Sequence, residues 1–141
     1  MISKGDRIFF ADNSKGYLER CNVFASTARG LGLVPVFYGG AGAAVRQSNQ
    51  DREMRDDFYG AQAIVLYFGS PKDGSDQEDH WVLHEVKYAV ESGLSCLVYV
   101  SKDFPKDILA KHGYNREAKV LSAEDDLGAI LRGDLQKFIG S

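Results

Sequence analysis

Cysteine is nearly absent from this chain, and so are several other signatures that would settle its class at once. Its two cysteines cannot form the disulfide framework of a small secreted scaffold. Cys21 and Cys96 both fall inside apolar patterns, where reduced core thiols are expected. No apolar run approaches the length of a membrane span. The opening Met1-Ile2-Ser3-Lys4-Gly5-Asp6-Arg7 leads into strand-like sequence without a signal peptide, so a cytoplasmic protein with no membrane partner is expected. Basic charge is not in excess: 17 Lys and Arg stand against 20 Asp and Glu, a net charge of −3, and the cations are scattered, which argues against a nucleic-acid partner. No Walker motif is present and no G-x-G-x-x-G follows a strand-like run, which removes support for P-loop ATPases and Rossmann dehydrogenases. No His and Cys pattern completes a zinc site, so His80 and His84 read as solvated helix residues and no metal is expected. Internal repeats, linkers and low-complexity segments are also lacking.

What the chain does have is an alternation of β-rich runs with longer amphipathic ones. Its 141 residues, 44% of them hydrophobic, suit one compact domain over 1–141, since about 100 to 150 residues is the commonest domain size. Residues 7–11 are rich in β-formers and run into the polar Asp12-Asn13-Ser14-Lys15-Gly16, which predicts a buried first strand and a loop. From Tyr17, Leu18, Cys21, Phe24, Ala25 and Ala28 recur at helical spacing up to a stop at Gly30 and Gly32, predicting an amphipathic helix. Residues 33–38 read as strand two. The stretch 39–50 has glycines, small residues and amides without periodicity and exceeds the usual βα loop. Asn49 then caps a polar helix reaching Tyr59. Residues 63–68 form the most hydrophobic continuous run, as a central parallel strand requires. A polar loop follows, then a helix from His80 to Ser92 ending at Gly93, a strand over 94–100, a short helix over 104–112, a strand over 118–121 and a closing helix over 124–139 with Ser122 and Asp125 at its cap. Crossovers too long for hairpins predict an α/β, flavodoxin-like doubly wound fold: a five-stranded parallel sheet with helices on both faces.

In such a fold, ligands bind beyond the carboxyl ends of the strands, where strand order reverses. The loops expected there carry Asp12-Asn13-Ser14, the glycine-rich segment with Arg46, and Gly69-Ser70 leading to Trp81 and Glu85. On a helical wheel Val82, Leu83, Val86, Ala89 and Val90 share one face, His84, Lys87 and Glu91 the opposite one, and Trp81, Glu85, Tyr88 and Ser92 the border. A carboxylate on that border, a turn from a tryptophan and a turn from a tyrosine, can be partly desolvated yet reach a ligand. By spacing alone an ordinary surface glutamate whose neighbours are buried is the favoured reading.

Trp81-x-x-x-Glu85, continuing Val86-Lys87-Tyr88-Ala89 after a hydrophobic strand and a serine-containing loop, resembles the third-helix motif of Toll/interleukin receptor (TIR) domains. Leu18-Glu19-Arg20, Leu31-Gly32-Leu33-Val34-Pro35-Val36 and Phe68-Gly69-Ser70 extend the resemblance to bacterial TIR-like proteins of the Thoeris defence type and related uncharacterised families. The resemblance covers about residues 7–101, and beyond that only element order agrees. The first loop departs from it: related bacterial proteins often carry serines or threonines straight after the strand, where this chain has Ala11-Asp12-Asn13-Ser14.

The resemblance implies an NAD nucleosidase or cyclase that cleaves the nicotinamide–ribose bond in antiphage immune signalling, with Glu85 as the catalytic carboxylate and NAD as substrate, not cofactor. Self-association on activation and a defence-system partner protein are implied with it. The chemistry suits one carboxylate. Glycosidases use two because a poor leaving group needs a proton, whereas nicotinamide leaves NAD as a neutral molecule, so a single anion can stabilise the oxocarbenium ion. Around Glu85 the candidate substrate-binding residues are Phe10, Asp12, Asn13, Gly39, Gly40, Arg46, Ser70 and Trp81. Phe10 would pack on nicotinamide or in the core. Trp81 would wall the pocket or fill the interior. Ser70 would bond a ribose hydroxyl or its own loop. Gly39 and Gly40, with Gly42, would let backbone N–H groups approach phosphate beside Arg46 or form a partner loop. Two other functions stand beside this one: a non-catalytic TIR-like adaptor or nucleotide sensor, and a nucleoside deoxyribosyltransferase-like enzyme, which would also use a glutamate at a glycosidic bond. A phosphoacceptor receiver domain is disfavoured, because the first strand lacks a following acidic pair.

Overall fold

The computed structural model describes residues 2–12, 17–37, 60–69, 81–105, 107–111, 113–114, 118–122 and 124–139. The glycine-rich stretch 39–50 and the helix expected up to Tyr59 lie outside these residues. In chain order the elements are β1 (Arg7–Asp12), α1 (Tyr17–Gly30), β2 (Val34–Phe37), β3 (Ala63–Phe68), α2 (Trp81–Ser92), β4 (Ser95–Ser101), α3 (Asp107–Lys111), β5 (Lys119–Leu121) and α4 (Leu127–Phe138). All strand pairings are parallel. The order β2-β1-β3-β4-β5 makes β1 and β3 neighbours at the point where the winding reverses, as the flavodoxin-like fold requires. No helix among the described residues is long and apolar enough to cross a membrane.

Alternation along the strands divides the core into two layers. Phe9, Ile64, Leu66, Phe68, Val98 and Val100 share one layer with Val86 and Ala89 of α2 and Ile108 and Leu109 of α3. Ile8, Phe10, Val65 and Tyr99 share the other with Cys21, Phe24 and Ala28 of α1 and Leu131 and Leu135 of α4. Each central strand is therefore covered on both faces, which is why 63–68 reads as unbroken hydrophobic sequence. Helices α1 and α2 end alike. Gly32 takes φ +80°, its N–H donates to the Arg29 carbonyl, and Leu33 N–H reaches the Ala28 carbonyl. Gly93 at φ +69° does the same with Val90 and Ala89. This left-handed cap satisfies orphan carbonyls and admits glycine without strain.

Four expectations need correction. Leu18 is 53% exposed, because it sits at the rim of the stripe made by Cys21, Phe24, Ala25 and Ala28. Val90 is 42% exposed for the same reason on α2. The cap of α4 is Asp126, whose carboxylate accepts the Ala129 N–H. Ser122 and Asp125 form a separate turn upstream, in which Ser122 N–H donates to the Asp125 carboxylate. Helix α3 is also shorter than expected, Asp107–Lys111, chiefly at its start, where Phe104 N–H donates to the Ser101 carbonyl in a turn that closes β4; Gly113 at φ +87° follows its C-terminal end.

Candidate functional site

The reversal of strand order brings the ends of β1 and β3 together, and their last side chains on the α1 face are polar. Asp12, the last residue of β1, is in register with Tyr67 of β3. The connection from β1 is short enough that α1 starts at Tyr17, so Arg20, one turn in, returns over the strand end. Its Nε donates to Asp12 Oδ2 at 2.5 Å, and its Nη2 approaches the other carboxylate oxygen at 3.5 Å. The guanidinium also lies over the Tyr67 ring, 4.2 Å from its centroid. The Asp12 side chain is only 1% exposed and that of Arg20 is 23% exposed. A carboxylate this buried requires a cation and hydrogen bonds, and the arginine fork supplies both. Next to them Cys21 is 3% exposed. Burial, and then the negative charge of Asp12, push its thiol up to about 12 against the opposing charge of Arg20. It is an inert core group and not a nucleophile.

The same row of residues continues across the sheet. Tyr67 is in register with Tyr99 of β4, and Tyr99 with Lys119 of β5. A second helix meets the row there: Asp134 of α4 accepts the Tyr99 hydroxyl at 2.7 Å and the Lys119 ammonium at 3.2 Å to each oxygen. Burial, then the bond to Asp134 and its charge, raise the Tyr99 phenol above its ordinary range, so it stays a donor. The two ion pairs run in opposite senses, anion on the strand at Asp12 and cation on the strand at Lys119. Each clamps one of the two helices on this face. Among the described residues, the only buried side-chain oxygen without a partner is Ser101 Oγ.

On the opposite face α2 begins at Trp81, so its N-terminal turn lies at the carboxyl edge of β3 and Glu85 is the fifth residue of the helix. The switch point is thus flanked by two helix starts, α1 with Arg20 on one face and α2 with Glu85 on the other. Helix starts attract anions through their free N–H groups. The side chains of Trp81 and Glu85 lie outside the described part of the structure, as do Asn13, Gly39, Gly40, Arg46 and Ser70. Lys87 and Glu91 are exposed and Val86 and Ala89 buried, as the helical wheel requires.

Phe10 is 2% exposed and stacks on Phe24 with ring centroids 4.9 Å apart. Its ring is therefore part of the core layer beneath α1. Asp12 is at the expected edge, held by Arg20. Arg20 and Tyr67 were not among the residues singled out for binding. A signal for Arg20 existed: a carboxylate at a predicted strand end and an arginine one turn into the next helix are natural partners. Tyr67 had none, since a tyrosine in a buried strand reads as core. Among the described residues no group of His, Cys, Asp and Glu could hold a metal ion. No protein-family model matches the chain, and no curated protein matches it.

Proposed function

We propose that this protein cleaves the bond between nicotinamide and ribose in NAD, with Glu85 as the catalytic residue. The observation that carries the reading is the position of α2. It is the next described element after β3 in chain order and begins at Trp81; in this reading the Trp81 and Glu85 pair serves the switch-point edge where ligands of this fold bind. The resemblance of that pair to the TIR motif supplies the reaction.

In the proposed step the Glu85 carboxylate faces the ribose as the C1′–N bond breaks. Its charge stabilises the oxocarbenium ion while the pyridinium recovers its electron pair and leaves as neutral nicotinamide, with no proton needed. Water adding to C1′ gives ADP-ribose and a proton; an adenine nitrogen adding instead gives a cyclic product and a proton. The resemblance further assigns this reaction to antiphage immune signalling, with self-association of the chain on activation. The test incubates concentrated protein with NAD and resolves nicotinamide, ADP-ribose and cyclic products. Wild type is expected to consume NAD, and Glu85→Gln to lose about a hundredfold or more in rate with unchanged thermal unfolding. Equal rates in the two proteins, or no NAD consumed by wild type at any concentration, would sink the reading.

A further inference from the structure

We infer that Arg20 is the anion anchor of this site and takes the pyrophosphate of the dinucleotide, an inference that rests on the NAD reading above. A guanidinium presents five N–H donors in one plane, and its use to a phosphate depends on that plane being held. Here it is held twice: Asp12 takes Nε and Nη2 from one edge, and the Tyr67 ring covers one face. The side chain keeps 23% exposure.

Asp12 ends β1 and Tyr67 is the penultimate residue of β3, the two strands between which the winding reverses, and ligands of such sheets lie across that point. Arg20 stands in the opening turns of the fourteen-residue α1, whose N-terminal dipole favours negative charge at the same edge. Asp12 offsets much of the guanidinium's charge, so recognition is by directed, charge-assisted hydrogen bonds more than by net field. Glu85 belongs to the helix on the other face of the sheet. In this reading the dinucleotide spans the edge between the helix that carries Glu85 and the Arg20 fork. Asp12 and Tyr67 act through Arg20 and are positioning residues.

The test compares NAD with nicotinamide riboside, which has the same scissile bond and no phosphate. In Arg20→Lys a cation remains for Asp12 while the fork is lost. The preference in kcat/KM for NAD over the riboside is expected to fall about tenfold, through KM for NAD, with kcat little changed and thermal unfolding confirming the fold. Asp12→Asn separates tethering from charge. It frees the guanidinium from its carboxylate, so KM for NAD rises if positioning matters and falls if only net charge does. An unchanged preference in Arg20→Lys overturns the anchor and leaves NAD cleavage standing. Should wild type cleave neither compound, the NAD reading fails. Inorganic pyrophosphate titrated into labelled protein then decides the anchor: binding that perturbs the Arg20 side-chain resonances and weakens in Arg20→Lys upholds it, and no binding overturns it.

Discussion

Replacing Arg20 with methionine would keep much of its aliphatic length while withdrawing the cation from a carboxylate that is 1% exposed. Removing one partner of a buried ion pair costs about 3–5 kcal/mol, because the remaining charge is stranded away from water. Two features put this case at the lower end, about 3 kcal/mol. Arg20 is partly exposed, so the pair is not fully desolvated, and Asp12 has interactions beyond Arg20. The lost stacking on Tyr67 adds about 0.5–1 kcal/mol. Against a total stability of about 5–15 kcal/mol, the combined loss of about 3.5–4 kcal/mol is a large fraction, and the melting temperature should fall by roughly 7–16 °C. Asp12→Asn costs less, about 1–2 kcal/mol, since the cation left behind reaches water. The double variant Asp12→Asn/Arg20→Met strands no charge and should recover part of the loss. Urea unfolding followed by circular dichroism, with an unchanged m value across the set, gives the double-mutant cycle. A coupling of about 2 kcal/mol or more is expected. A coupling below about 0.5 kcal/mol would put the pair with ordinary surface bridges and refute the claim that Asp12 depends on its cation.

Phe10→Leu should destabilise by about 1–2 kcal/mol through loss of the stack on Phe24, with KM for NAD unchanged in the folded enzyme; a raised KM at near-normal stability would return Phe10 to the site. Alkaline stability should decline in a defined window. Cys21 is raised from an ordinary value near 9 to about 12, so above pH 9 the unfolded chain loses a proton that the folded one keeps. Stability present below pH 9 is therefore lost as pH rises toward 12, at about 1.4 kcal/mol per pH unit for this group. Tyr99, raised in the same direction, steepens the decline above pH 10. Chemical denaturation across pH 8 to 11 should show the slope flattening in Cys21→Ala and again in Tyr99→Phe; an unaltered slope would mean that neither proton is retained on folding.

Most of the fold was legible because the signals are local. The β-rich runs at 7–11 and 63–68, the helical spacing from Cys21 to Ala28 and the glycines at 32 and 93 each act within a few residues of themselves. Their order then leaves the right-handed parallel crossover as the natural solution. The margins were less legible. Leu18 and Val90 count as apolar in any periodicity, and only the extent of the surface beneath them decides that they stay exposed.

The sequence by itself determined a doubly wound sheet, reduced core cysteines, and a helix beginning near Trp81 with Glu85 one turn inside it, because helical and strand periods and glycine stops need no distant partner. Only the tertiary structure decided which polar groups meet. Asp12, Tyr67, Tyr99 and Lys119 come from four strands spread over more than a hundred residues, yet strand register sets them in one row. Helix packing then brings Arg20 to one end of that row and Asp134 to the other. Pairing of this kind depends on register and crossing geometry, which are settled by burial of the whole sheet, and no window of the sequence contains it.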